Sequence, residues 1–284
     1  MTRVLVTGAT GFVGRQIMRA LSELDVTLVP VVRTGKENLV KNFPKVEKIV
    51  ISQDIFSEDR SWWVRQCQGV DVIIHAAWYV EPGEYLHSTQ NVTCLAGSLN
   101  LALGAAEVGV RRLAGIGTCF EYDLSGGVLS VETPLKPLTP YAASKAALFL
   151  SLSQWSLTQP IDFIWCRLFY LYGEGENERR LVPYLHKQFQ NKEPAKLTSG
   201  KQIRDFLDVT EAGKKITHAV FSDQIGPVNI CSGVPITVRQ LAEQIADKYG
   251  LKHLLHFGTR PDNQFDPPCV LGVPPTHLPG ESNL

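Results

Sequence analysis

Between Arg3 and Arg167, short apolar runs rich in β-branched residues alternate with longer stretches of helical periodicity. Arg3 to Thr7, Val26 to Val32, Lys48 to Ile51, Val70 to His75, Arg112 to Ile116 and Asp162 to Arg167 read as buried strands. Val13 to Leu24, Thr89 to Val108 and Tyr141 to Ser156 read as helices between them. Each helix carries the chain back over the sheet, so successive strands run parallel and helices cover both faces. The expected fold is α/β, a doubly wound parallel sheet with a smaller substrate-binding lobe.

The lobe is expected where the texture changes, after Tyr172-Gly173. Glu174 to Arg180 is polar, and the segments beyond it are broken by prolines and glycines. Val228-Asn-Ile230 and a helix over Thr237 to Tyr249 are assigned to this lobe, while Asp205-Phe-Leu-Asp-Val209 returns the chain briefly to the first domain. The expected division is residues 1–167 and 207–222 for the dinucleotide-binding domain, and 168–206 and 223–284 for the lobe. An irregular tail is expected from Pro261.

Composition narrows the function. Lys plus Arg and Asp plus Glu both total 28, so neither a polybasic nucleic-acid surface nor an acidic tail is expected. The six cysteines are scattered, with no Cys-x-x-Cys pair, which fits neither a metal site nor a disulfide framework. Met1-Thr-Arg-Val-Leu-Val enters a strand at once, and no apolar run approaches the ~20 residues of a membrane span. A cytoplasmic protein, neither membrane-bound nor nucleic-acid-bound, is expected.

The first strand runs into Gly8-Ala-Thr10-Gly11-Phe12-Val13-Gly14. Glycines at this spacing allow a tight turn, close approach of a pyrophosphate, and a helix N-terminus facing the anion. The second strand ends in Arg33 rather than an acid. An acid there would take the ribose 2′-hydroxyl of NAD(H), whereas an arginine suits the 2′-phosphate of NADP(H). NADP(H) is therefore favoured and NAD(H) remains open, since Arg33 also reads as an exposed loop residue. Asp54-Ile55 follows the third strand, within reach of an adenine ring. His75-Ala76-Ala77 ends the fourth, with small residues for close backbone approach and a histidine that reads as a core residue.

Tyr141 and Lys145 lie one helical turn apart. A phenol ordinarily titrates near ~10, so the lysine and a cofactor charge are expected to lower Tyr141 for proton transfer. Thr118, at a strand end, would hydrogen-bond the same substrate oxygen.

With these motifs the chain resembles the extended short-chain dehydrogenase/reductases of the NAD-dependent epimerase/dehydratase family, which act on nucleotide sugars. The likeness rests on the three glycines, Asp54, His75-Ala-Ala77, Asn91-Val92, Gly117-Thr118, Pro140-Tyr141 to Lys145, Arg167-Leu-Phe169 and Tyr172-Gly173. It continues through Gly200-Lys-Gln-Ile-Arg204-Asp-Phe206, Asn229-Ile-Cys-Ser-Gly233 and Arg260-Pro261. The resemblance implies that Thr118, Tyr141 and Lys145 are catalytic, with Asn91 linking the lysine to water. It implies cofactor contacts from Gly8, Thr10, Gly11, Phe12, Val13, Gly14, Arg33, Asp54, Ile55, Ala76, Ala77, Tyr141 and Lys145. It places Thr118, Cys119, Tyr170, Leu181, Val182, Arg204 and Arg260 against the nucleotide sugar, with Pro183 beside the base. It also implies a homodimer through the helices Thr89 to Val108 and Tyr141 to Ser156, with Leu148, Phe149, Leu152 and Trp155 as candidate contacts.

Departures from the family select the reaction. Dehydratases carry an Asp-Glu pair directly after the threonine, where this chain has Cys119-Phe120. Reductases that also epimerise beside the ketone carry a cysteine at the position of Phe120. Simple ketone reduction and 4-epimerisation remain, and Arg33 favours NADPH-dependent reduction. Tyr172-Gly-Glu-Gly-Glu-Asn-Glu178, Pro183-Tyr184 and Gly200 to Phe206 are similar to the abequose-synthase group, 4-ketoreductases of nucleotide-linked deoxyhexoses in surface-polysaccharide biosynthesis. A 4-epimerase with tightly held NAD is the alternative, and a non-catalytic dinucleotide binder a further one. Tyr170 stands where the family often has asparagine, which implies an altered sugar pocket. The short segment after Arg260 implies a lobe that is trimmed or completed by a neighbouring subunit.

Overall fold

The structure is a computed structural model, and it describes residues 1–263 and 266–275. The chain runs β1 (Thr2–Thr7), α1 (Phe12–Ser22), β2 (Val26–Arg33), β3 (Val50–Ser52), α2 (Arg60–Gln66), β4 (Val72–His75), α3 (Gln90–Glu107), β5 (Arg112–Thr118) and β6 (Val128–Leu129). It continues through α4 (Pro140–Ser156), β7 (Asp162–Leu168), β8 (Tyr170–Tyr172), α5 (Leu181–Gln190), β9 (Ala195–Lys196), β10 (Ile203–Asp208) and α6 (Val209–Phe221). It closes with β11 (Gly226–Ile230), β12 (Pro235–Thr237), α7 (Val238–Tyr249), β13 (Leu255–His256) and β14 (Cys269–Gly272).

Seven parallel strands form the main sheet in the order β11-β7-β5-β4-β1-β2-β3. Central strands covered on both faces need apolar residues on both, and Val4, Leu5 and Val6 are fully buried. One face packs on α1 and α6 through Ile17, Leu21, Ala212 and Ile216, and the other on α2, α3 and α4 through Trp63, Leu101 and Leu148. Strand order reverses between β1 and β4, which opens a crevice at their carboxyl ends.

The lobe has a second sheet, β12-β10-β14-β6 with β8 beside β10, and the pair β13-β9. Its core joins α5 and α7 through Leu185, Phe189, Leu241 and Ile245. Four expectations about this region need correction. Val228-Asn-Ile230 is not in the lobe, because β11 adds a seventh strand to the main sheet with Val228 opposite Cys166. Val228 and Ile230 are both buried, as that position demands. Asp205 to Asp208 pairs in the second sheet, although Leu207 and Val209 reach the first domain's core and α6 follows within the expected 207–222 return. Val128–Leu129 leaves the first domain to pair with β14. Finally, the described part of the tail is not wholly irregular: Cys269–Gly272 is held between β10 and β6. The rest of the tail, 276–284, lies outside the described residues.

Candidate active site

The crevice begins where β1 ends. Gly8 has φ +68°, a conformation L side chains rarely adopt, and its carbonyl accepts the Gly11 amide at 2.9 Å. Gly11 caps α1 without a side-chain bond, and Arg15 is the residue whose amide bonds back to Gly11, at 3.0 Å. The amides of Phe12, Val13 and Gly14 therefore have no partner inside the helix, and they carry the positive end of its dipole. A Cβ on Gly8 would lie 2.7 Å from the Ala77 nitrogen, and one on Gly14 would lie 2.0 Å from the Gly8 oxygen. Strand end, turn and helix are thus in backbone contact, a cradle that fits a pyrophosphate. Thr10, Phe12, Val13, Ala76 and Ala77 are all half-buried around it.

Arg33 is exposed at the end of β2, followed by exposed Thr34, Gly35 and Lys36. Asp54 is occupied locally, since its carboxylate accepts the Phe56 amide at 3.1 Å and the Ser57 hydroxyl at 2.8 Å. It shapes the loop after β3, and Ile55 packs against the core beside it.

His75 is a core residue. Its Nδ1 lies 2.8 Å from the Thr7 hydroxyl and its Nε2 2.8 Å from the Ser98 hydroxyl. Ser98 gives its own proton to the Cys94 carbonyl at 2.7 Å, which assigns the imidazole proton to Nε2. Burial, then the Lys145 charge, pushes His75 down to about 3 from 6.5. Unfolding therefore takes up a proton in that window, so stability is full above pH 6.5 and declines as pH falls toward 3. The expected loss on full acidification is on the order of 5 kcal/mol. Urea unfolding of His75→Gln should show a flatter acid limb than the parent across this window, and an unchanged limb would contradict a neutral buried imidazole.

Thr118, Tyr141 and Lys145 meet at the end of β5. Thr139 caps α4 by accepting the Ala142 amide at 3.2 Å, and Pro140 takes the first helical turn. This capped end sets Tyr141 near Thr118, whose side chain works against the rise of the phenol. Lys145, fully within the core, donates to the Ile116 carbonyl at 2.6 Å and stands 3.8 Å above the Trp78 ring.

Two expectations change here. Burial by itself drives the Tyr141 phenol upward, with Tyr85 and Glu121 adding to the rise, against the lowering expected from Lys145 together with a cofactor charge. The reason is desolvation: the ring is packed edge-on to Tyr85 at 4.8 Å, while the lysine is turned to Ile116 and Trp78. Burial also lowers Lys145 to about 7, against which Glu121, and Cys94 only where it is ionised, hold it up. Asn91 is committed elsewhere, since its amide donates to the Tyr85 and Ser88 carbonyls at 2.6 and 2.9 Å. Its carbonyl accepts the Trp78 indole N–H at 2.8 Å, so its link to Lys145 runs through the Trp78 ring.

On the substrate side, Cys119 is buried and its thiol is pushed up by burial. Tyr170 is packed between Phe120 and Phe206. Arg204 is buried, 2.6 Å from the Asp266 carboxylate and 5.2 Å over the Tyr170 ring, so its charge is already met within the protein. Arg260 is exposed and lies 5.1 Å over the Tyr184 ring. Leu181 is half-buried at the start of α5, but Val182 and Pro183 line a cleft of about 520 Å³ with Tyr172, Leu241 and Ile245. That cleft contains neither Tyr141 nor Thr118, so α5 does not bring all its predicted contacts to one place.

The sequence reading passed over Glu121. Its carboxylate is fully buried and ion-paired with Arg167 at 2.8 Å. The signal was present: Thr118-Cys-Phe-Glu121 is a capping box, and the structure forms it.

Residues 4–231 match the model of the NAD dependent epimerase/dehydratase family. A dTDP-6-deoxy-L-talose 4-dehydrogenase (NAD(+)) from Aggregatibacter actinomycetemcomitans is 23% identical, over 95% of this chain and 99% of the relative. A CDP-abequose synthase from Salmonella muenchen is 25% identical, over 90% of this chain and 84% of the relative. The structure of a UDP-N-acetylglucosamine 4-epimerase from Methanobrevibacter ruminantium superposes with a TM-score of 0.83 at 23% identity, covering 96% of this chain and 89% of that one.

Proposed function

This chain belongs to the NAD-dependent epimerase/dehydratase family, and from that membership we propose that it reduces the 4-keto group of a nucleotide-linked 6-deoxyhexose with NADPH. The observation that carries the proposal is a buried phenol near Thr118 with, among the described residues, no free acid directly after the threonine for elimination. Cys119 and Phe120 occupy the positions after the threonine, and the nearby Glu121 is consumed by Thr118, Trp165 and Arg167. Burial keeps the Tyr141 phenol protonated, the state a reduction needs in its proton donor.

A bound nicotinamide dinucleotide would supply the hydride. Tyr141 donates a proton to the sugar oxygen, and Thr118 polarises the carbonyl by hydrogen bonding. The ketone carbon thereby gains a hydride, its oxygen gains a proton, and a secondary alcohol leaves. The glycine turn and the first amides of α1 hold the pyrophosphate, and Arg33 takes the 2′-phosphate. One relative's name agrees with chemistry at C4, a 4-dehydrogenase of dTDP-6-deoxy-L-talose, and another is named a CDP-abequose synthase. The first of them names NAD(+), which supports a second reading in which this chain uses NAD(H).

Arg33→Asp is expected to reverse the preference, lowering the NADPH/NADH ratio of kcat/KM at least tenfold, or about 1.4 kcal/mol. Steady-state rates with both cofactors measure it, and an unchanged ratio would remove Arg33 from phosphate recognition. The reaction itself is tested by incubating CDP- or dTDP-linked 4-keto-6-deoxyglucose with NADPH. Stoichiometric loss of NADPH absorbance with a new 4-hydroxy sugar is expected. Interconversion of UDP-hexose epimers without NADPH loss would make the chain a 4-epimerase, and cofactor binding without any turnover a sensor.

The partner proposal is a homodimer through α3 and α4, on which Val92, Leu103 and Leu150 are exposed. Leu148 and Leu152 are not part of that face, because they pack inside the subunit. Among the described residues, no helix is long and apolar enough to cross a membrane.

A further inference from the structure

The turn after β5 carries a buried ion pair. Glu121 Oε1 accepts the Thr118 amide at 2.7 Å, Oε2 accepts Arg167 Nε at 2.8 Å, and the Trp165 indole bridges both oxygens at 3.1 and 3.0 Å. The β5 backbone lies directly on this group: a Cβ on Gly117 would come within 2.5 Å of Glu121 Oε1 and 2.2 Å of Trp165 Nε1. Arg167 is held further by the Tyr122 hydroxyl at 3.0 Å, which donates to Asn229 at 2.7 Å.

A buried ion pair is weak evidence of stability, because the cost of desolvating both charges offsets most of their attraction. An apolar pair of similar volume would fill the same space, so the position of the charge invites a functional account. Glu121 touches the backbone of the residue that presents the hydroxyl, and it heads the groups that hold up the Lys145 ammonium.

We propose that Glu121 is a positioning residue of the hydride-transfer site, whose carboxylate fixes the Thr118 strand end and places a negative charge behind the Thr118–Lys145 side of it. This rests on the reductase reading for its effect on turnover, but not for its effect on the lysine. The other titratable groups around Lys145 are His75 at the end of β4, Cys94 on α3 and Tyr141 on α4. Burial keeps His75 an uncharged base, Cys94 a thiol and Tyr141 a phenol, so none of them supplies an anion near neutrality. Asp54 faces Cys94 from the loop after β3, Tyr85 faces Tyr141 with Arg180 behind it, and Arg167 faces Glu121 from β7, where it, the Thr118 amide and the Trp165 indole work against the burial that raises the Glu121 carboxyl.

Glu121→Gln keeps the shape and removes the charge. Lys145 already titrates at about 7, so losing its counter-charge should carry it below neutrality. The test is carbon-13 NMR of lysine-labelled full-length protein, with the Lys145 resonance assigned by Lys145→Met and followed against pH. A fall in its midpoint of about one unit is expected in Glu121→Gln, with the parent value retained in Glu121→Asp, which keeps the charge. With 4-keto sugar and NADPH, kcat should fall about tenfold with KM for the sugar unchanged, and its decline with rising pH should begin earlier. A folded Glu121→Gln whose Lys145 midpoint matches the parent overturns the proposal. If the unpaired Arg167 prevents folding, Glu121→Gln/Arg167→Met removes both charges, and the same midpoint decides. Failure of the parent to reduce any 4-keto sugar would refute the reductase reading and leave the NMR result to judge Glu121.

Discussion

Tyr141→Phe is expected to cut turnover by two or more orders of magnitude while leaving dinucleotide binding unchanged. The substitution deletes one oxygen and keeps the ring, which stays edge-on to Tyr85 at 4.8 Å and packed on the core of α3 and α4. What disappears is the proton donor. Thr118 has one hydroxyl proton and already works as a cap, accepting the Phe120 amide at 3.3 Å, so it stabilises an oxyanion better than it replaces the phenol. General acid catalysis contributes roughly 10²- to 10⁴-fold, which sets the scale of the loss. Rates with saturating NADPH, beside a fluorescence titration of the cofactor, separate the two effects. Turnover within threefold of the parent would remove Tyr141 from the chemistry, and a parallel loss of cofactor affinity would mean that the ring, not the oxygen, matters.

Gly14→Ala should be nearly as damaging, by a different route. The new methyl carbon would stand 2.0 Å from the Gly8 carbonyl oxygen and 2.7 Å from its carbon. The helix cannot retreat, because α6 lies against its other side: a Cβ on Gly213 would come 2.7 Å from the Gln16 carbonyl carbon. α1 is therefore clamped between the turn and α6, and the strain falls on the turn that presents the helix amides. Overpacking of this kind costs about 1–3 kcal/mol of stability. The expected loss in dinucleotide affinity is at least 100-fold, since the amides and the Gly8 turn move together. Gly11→Ala is the control, where the Cβ would meet only the Gly8 oxygen, at 3.2 Å. It should lose less than tenfold. Denaturant midpoints and dinucleotide titration of both variants measure this, and equal affinities for Gly14→Ala and the parent would show that the turn yields.

These two results depend on parts of the molecule that differ in how plainly the sequence displays them. The glycine spacing and the Tyr141–Lys145 interval are local: a turn, a cap and one helical repeat set their geometry, so residue type and spacing suffice. The alternation of buried strands and helices is equally local, and β1, β2, β4, β5 and β7 fall where their apolar runs predict. Protonation is not local. Neither the rise of Tyr141 nor the fall of Lys145 to about 7 can be read from their spacing, because both follow from how much water the fold removes.

The same division holds for partners. The family resemblance offers Arg204 to a phosphate or ribose, but folding brings it to Asp266, far along the chain beyond α6 and α7. Asn91 reads as a neighbour of Lys145, but Trp78 takes its carbonyl first. β11 reads as part of the lobe because it follows α6, and only sheet pairing with β7 shows where it belongs. Sequence alone determined the class of fold and the glycine turn after β1, since short-range periodicity and sterics decide them. Tertiary structure alone decided which charges are satisfied, which groups keep their protons, and that Glu121 stands behind Thr118, since those outcomes depend on burial and on contacts between residues far apart in the chain.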